Sequence, residues 1–162
     1  MDADLVAWSE RVGNALREQA LTLATAESCT GGWAAQVVTH TAGSSGWFDR
    51  GFVTYSNEAK VDMLGVSTQT LDVYRAVSEE TAGEMAQGAL NCSKASISLA
   101  ITGIAGPTSG SPDKPVGTVC FAWCRTGGQT VTQTCCFAGD REMIRRQAVV
   151  HALEGVLRVL GQ

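Results

Sequence analysis

The stretch VGTVCFAWCRTGGQTVTQTCCFA, residues 116–138, carries two runs of strand-forming residues, 116–125 and 129–138, on either side of Thr126, Gly127 and Gly128. Such runs around a short glycine turn predict an antiparallel hairpin. Working back from it, SISLAIT (96–102), GFVTY (51–55) and LTLATA (21–26) have the length and flanks of buried strands. Helical patterns separate them. Leu5, Trp8, Val12 and Leu16 recur at three- and four-residue spacing and define an opening helix. Thr30 is placed to cap a helix running to His40 with Gly43 near its end, and NEAKVDMLG reads as a short helix closed by Gly65. Ser78, followed by Glu79 and Glu80, starts a helix ending near Leu90. Asp140 caps a last helix in which Ile144, Ala148, Ala152 and Val156 form one stripe, with Leu153 and Leu160 beside it. Helices alternating with strands and closing on an antiparallel hairpin predict a three-layer α/β/α domain around a mixed sheet of about five strands.

A chain of 162 residues fits one domain, residues 1–162, able to bury roughly 70% of its unfolded surface. Net charge is −4, and among 12 scattered Lys and Arg residues only Arg145 and Arg146 are adjacent. Nucleic-acid binders concentrate basic charge on one face, so a nucleic-acid partner is not expected. The start, MDADLVAWSERVG, lacks the basic-then-apolar order of a signal peptide, and no apolar run reaches the length of a membrane span. A soluble, cytoplasmic protein is expected. The six cysteines fall in segments that read as core and are expected to be buried thiols rather than disulfides. Cys120 and Cys124 have zinc-like spacing, but His40 and His151 stand far away, so neither a metal site nor a cofactor is expected.

In three-layer sheets of this kind ligands collect beyond the carboxyl ends of strands. That directs attention to AESCTGG (26–32), AGSSGWF (42–48), TGIAGP (102–107) and AGDR (138–141), which combine glycine with small hydroxyls or a charge. Glycine lets backbone N–H groups approach an anion, although it equally serves simple turns. Neither a Walker A pattern nor GxGxxG occurs.

Lys60 stands out. With Ser56 or Asn57 as cap it falls in the first helical turn, where the dipole opposes an ammonium and lowers its pKa. A neutral lysine suits a Ser–Lys dyad, and a solvated surface lysine is the alternative. Arg141, next to the cap Asp140, is likewise a cation against a dipole; it suits an oxyanion or phosphate, or else a surface pair with Asp140. Ser28, Cys29, Ser44 and Ser45 are the candidate nucleophiles, and residue chemistry leaves the choice among them open.

Six ordered motifs, TAESCTGGWAAQVV, AGSSGWFDRGFVTYSNEAK, AVSEE, ITGIAGP, KPVGTV and AGDREMIRRQA, make the chain resemble the CinA C-terminal domain family in its stand-alone nicotinamide-nucleotide amidohydrolase form. The likeness runs from about Leu5 to Leu160. It implies hydrolysis of nicotinamide mononucleotide to nicotinate mononucleotide and ammonia, in pyridine-nucleotide (NAD) recycling. The family's nucleophile, the second serine of GSS, falls on Ser45, its assisting tyrosine on Tyr55 and its lysine base on Lys60. The site arginine falls on Arg141 of GDR, with Arg145 one turn on as the alternative. Longer members carry a further N-terminal domain with a molybdopterin-binding-like fold, which is not expected here.

On that basis neutral Lys60, aided by Tyr55, takes the Ser45 proton, and Arg141 or backbone N–H groups stabilise the oxyanion of an acyl-enzyme route. Ser28, Thr30, Gly31 and Gly32, with Gly103, Ile104, Ala105 and Gly106, are the expected ribose and phosphate contacts. An amidase for another carboxamide, and a non-catalytic nucleotide sensor or partner-binding module of a competence or DNA-damage response, are the competing readings. A homo-oligomer, with a dimer favoured, is the expected assembly.

Overall fold

Three strands form the middle of the sheet: β1 (Leu23–Glu27), β3 (Ile97–Gly103) and β4 (Thr118–Arg125). Along them large and small side chains alternate with the strand period of two. Leu23, Ile97, Leu99, Ile101, Val119, Phe121 and Trp123 point into one core layer, whereas Ala24, Ala26, Ala100, Cys120, Ala122 and Cys124 point into the other. Both faces are therefore covered. In this computed structural model, which describes residues 1–162, helices α1 (Ala3–Glu18), α2 (Trp33–His40) and α6 (Arg141–Val159) cover the large-residue face. Helices α3 (Asn57–Leu64), α4 (Thr68–Tyr74) and α5 (Glu79–Asn91) cover the small-residue face. Each large side chain withdrawn from water contributes about 2 kcal/mol. The small residues on the second face instead let α5 lie close enough for the buried Ser98 hydroxyl to donate to Ala86 O at 2.6 Å.

The strand order is β2-β1-β3-β4-β5, with β2 (Phe48–Val53) and β5 (Val131–Cys136) at the edges. β1 runs parallel to β2 and β3, and the pairs β3–β4 and β4–β5 are antiparallel. The expected mixed five-stranded sheet and hairpin are both present. β1, β2, β3 and β5 thus point the same way, and their carboxyl ends share one rim. The connections after β1, β2, β3 and β5 all open there. β1 is also where the chain changes sides, reaching β2 through α2 on one face and β3 by way of α5 on the other. That is the switch point where a crevice forms.

Four local expectations are corrected. The α2 N-cap is Gly32, at φ 98°, and not Thr30; no side chain of the cap residue itself bonds the helix. α4 was not apparent in the sequence, because Leu71 is its one buried residue and it has no apolar stripe. β2 begins at Phe48, three residues earlier than the GFVTY reading. Cys92 and Cys136 are exposed, the first beyond α5 and the second on an edge strand, while Cys29, Cys120 and Cys124 are buried thiols. No helix is long and apolar enough to cross a membrane.

Candidate active site

Ser56 caps α3 by accepting from Ala59 N at 3.0 Å, which places Lys60 at the end of the first turn. The side chain runs inward, and Lys60 is only 1% exposed. Its Nζ lies 3.0 Å from Thr54 O, 3.2 Å from Tyr55 O and 3.0 Å from Ser28 Oγ. Lys60 forms no ion pair, and burial lowers its pKa from the ordinary 10.5. A neutral amine has two N–H donors and one lone pair. Here Lys60 Nζ donates to Ser28 Oγ and the Ser28 hydroxyl donates to Tyr55 O at 3.4 Å; a neutral amine that gave its two donors to the carbonyls would have its lone pair left for the serine proton.

Ser28 immediately follows β1, and its N–H donates to Ile101 O at 2.9 Å, which ties the turn to β3. It borders a cleft of roughly 460 Å³ lined also by Cys29, Tyr55, Thr102, Gly103, Ile104, Ala105, Gly106 and Arg141. Cys29, the stronger nucleophile in isolation, is unsuited to the role: burial pushes its thiol up to about 12. Ser45 is elsewhere. It is exposed in the single 3₁₀ turn Ser44–Gly46 that leads into β2, and Leu23 N donates to Trp47 O beside that turn. Ser45 therefore belongs to the amino-terminal rim. At about 3.3 Å per residue the five residues of β1 put roughly 15 Å between the two rims. Within one chain Ser45 does not reach Lys60; Ser28 does.

Arg141, the first residue of α6, donates through one terminal nitrogen to Gly106 O at 2.7 Å and through the other to Tyr55 Oη at 3.4 Å. It thereby links α6, the β3–β4 connection and the end of β2 around the cleft. Tyr55 is 63% exposed; it meets Lys60 through its carbonyl and Arg141 through its hydroxyl. Arg145 has a different task. Its Nε donates to Cys29 O at 3.0 Å and its terminal nitrogen to Thr30 O at 3.1 Å, clamping the turn that carries Ser28.

That turn is held from below by Glu27, a residue not singled out in the sequence analysis. It is 1% exposed, and its carboxylate accepts from Thr30 Oγ1 (2.7 Å), Ala34 N (2.8 Å) and Ala35 N (3.1 Å). It supplies the cap that Gly32 lacks, and burial raises its pKa. The available signal was an acid closing an apolar strand run directly before a hydroxyl- and glycine-rich turn. Because the Thr30 hydroxyl is spent on Glu27, the Thr30 side chain offers no donor to a ligand. Gly31 and Gly32 likewise stay outside the cleft lining, while Gly103, Ile104, Ala105 and Gly106 form part of it. Arg75 and Lys114, also unremarked in the sequence, line the same cleft.

The family model "CinA C-terminal domain" matches residues 6–160. Among curated proteins, the chain is 54% identical over 153 residues to "Nicotinamide-nucleotide amidohydrolase PncC" of Escherichia coli (strain K12), covering 94% of this chain and 93% of that one. It is 50% identical over 150 residues to the protein of the same name from Enterobacter agglomerans, covering 93% and 92%. Among solved structures, the competence/damage inducible protein CihA from Agrobacterium tumefaciens superposes with a TM-score of 0.95 at 45% identity, over 100% of this chain and 98% of that one. With this match across nearly its whole length, the chain belongs to the CinA C-terminal domain family.

Proposed function

We propose that the chain hydrolyses the carboxamide of nicotinamide mononucleotide to nicotinate mononucleotide and ammonia, with Ser28 as nucleophile and Lys60 as base, in cytoplasmic pyridine-nucleotide recycling. The observation that carries this reading is a buried, unpaired Lys60 amine 3.0 Å from the Ser28 hydroxyl at the edge of a cleft. Identity to the amidohydrolase of E. coli supports the substrate.

In the first step Ser28 Oγ attacks the carboxamide carbon as its proton passes to Lys60 Nζ. The carbonyl oxygen becomes an oxyanion, and Arg141, with three N–H donors left after its bonds to Gly106 and Tyr55, stabilises it. Lys60 then returns the proton to the leaving nitrogen. The C–N bond breaks, ammonia departs and an ester remains on Ser28. A water gives its proton to Lys60 and attacks the ester, and the Ser28 oxygen leaves with that proton. Exposed Val53, Tyr55 and Met143, from elements that meet at the cleft mouth, favour a homodimer.

Ammonia release from nicotinamide mononucleotide tests the reading. The wild type is expected to be active, Ser28→Ala and Lys60→Ala to lose at least about 10³-fold, and Ser45→Ala to keep activity. Activity kept in Ser28→Ala but lost in Ser45→Ala would return the nucleophile to the GSS motif and require a second copy to deliver it. Binding without turnover in the wild type would favour a sensor.

A further inference from the structure

We infer that Arg75, together with Lys114, forms the seat for the substrate's phosphate at the α4–α5 end of the cleft. The inference rests on the mononucleotide reading above and assigns a residue to its charged end. Three cations, Arg75, Lys114 and Arg141, line the cleft beside the buried Lys60 amine, and no carboxylate does, in a chain of net charge −4. Such concentration against the overall sign focuses an attractive field on an anion. Lys60 and Arg141 are committed at the reacting end. Arg75 is not: none of its five guanidinium donors makes a hydrogen bond or ion pair within the chain.

The Arg75 backbone gives the second observation. Its φ of 70° and ψ of 177° lie in a region that glycine occupies and other residues avoid. The chain holds it there by two hydroxyls, as Ser78 Oγ and Thr81 Oγ1 both donate to Arg75 O, at 3.1 and 2.6 Å. A residue locked in a costly conformation with its charged group unspent is what a ligand clamp requires. Lys114 converges on the same junction. Its Nζ donates to Tyr74 O at 3.2 Å and Val77 O at 2.5 Å, which fixes the β3–β4 connection against the residues flanking Arg75 and leaves one N–H free. A planar guanidinium beside a fixed ammonium matches a phosphate dianion, the first by paired hydrogen bonds and the second as a point charge.

The test compares substrates with and without the phosphate and adds a binding measurement that needs no turnover. Arg75→Ala is expected to raise KM for nicotinamide mononucleotide about 10-fold with kcat within about 2-fold, and to leave kcat/KM for nicotinamide riboside unchanged. Arg75→Gly, which removes the same guanidinium while freeing the backbone, should match it, and Arg75→Lys should recover part of the loss. By calorimetry, ribose 5-phosphate should bind the wild type and lose about 10-fold in Arg75→Ala. Equal losses for the two amide substrates, an unchanged KM, or equal ribose 5-phosphate binding by wild type and variant would overturn the assignment. If the wild type released no ammonia yet bound ribose 5-phosphate through Arg75, the amidase reading would fall and the phosphate seat would stand.

Discussion

Lys60 Nζ and Ser28 Oγ lie 3.0 Å apart across 32 residues of chain, and the other two partners of the amine are main-chain carbonyls rather than carboxylates. A buried ammonium without a counter-ion is costly, so the fold itself favours the neutral form. The carbonyls of Thr54 and Tyr55 hold the amine beside the serine, and a neutral amine that gives them its two N–H groups has its lone pair left for the serine proton.

The pH dependence follows from the direction of the Lys60 shift. Burial lowers its pKa below 10.5 in the folded chain. Between the folded value and 10.5 the unfolded chain binds a proton that the native chain lacks, so stability rises with pH across that window and is flat below it as far as Lys60 is concerned. Activity should also rise with pH through the folded value, since the base must be neutral. A kcat/KM profile with an acidic limb below 10.5, matched by one early-titrating signal among the three lysines in isotope-edited NMR, is the expected result. Three lysines all titrating near 10.5 would remove Lys60 as the base.

Glu27 should matter to stability and to catalysis together. Glu27→Gln replaces one acceptor oxygen with an NH₂ group that faces either an amide N–H of α2 or the Thr30 hydroxyl, so one buried donor loses its partner. The expected cost is about 2 kcal/mol in urea unfolding. Because Ser28 is the next residue, kcat should fall while KM for nicotinamide mononucleotide changes little. A variant as stable as the wild type would show that α2 is capped adequately without the carboxylate.

The parts of this picture that were legible in the sequence are those set by local pattern. The hairpin around Gly127, the helix starts at Ser56, Ser78 and Asp140, and the Gly65 stop are each written in a few adjacent residues, and each is observed. The separation of Ser45 from Lys60 has a physical origin: GSS precedes its strand and AESC follows one, so strand direction puts them on opposite rims. Only the parallel pairing of β1 with β2 makes that decisive. The role of Glu27 and the clamping contacts of Arg145 were hidden for another reason. Glu27 meets the Thr30 hydroxyl and two α2 amides from a strand end, and Arg145 meets two carbonyls of the same turn from a helix more than 100 residues on, contacts that only the tertiary fold brings about.

The position of Lys60 also depends on how closely two helices approach. Gly88 of α5 packs directly on the Leu64 carbonyl at the end of α3, and an added Cβ there would overlap backbone rather than a flexible side chain. Gly88→Ala must push α3 outward, and α3 carries Lys60. The expected loss is about 3 kcal/mol of stability, with a fall in kcat measured well below the melting transition. Unchanged activity in a destabilised Gly88→Ala protein would show that the dyad tolerates movement of α3.

Arg75 yields a prediction of opposite sign. Its φ of 70° and ψ of 177° cost on the order of 1–3 kcal/mol for a residue with a Cβ, whereas glycine adopts them freely. Glycine also gains entropy in the unfolded chain, which returns roughly 0.5–1 kcal/mol of that advantage. The net expectation is that Arg75→Gly stabilises the protein by about 1 kcal/mol, or raises Tm by about 3 °C for a chain of this size. Arg75→Ala keeps the Cβ and therefore the strain, and should melt within about 1–2 °C of the wild type. The difference between the two variants isolates the backbone from the guanidinium, since both lose the charge. If Arg75→Gly melts no higher than Arg75→Ala, the hydroxyls of Ser78 and Thr81 hold this turn at no cost, and the conformation is not stored strain.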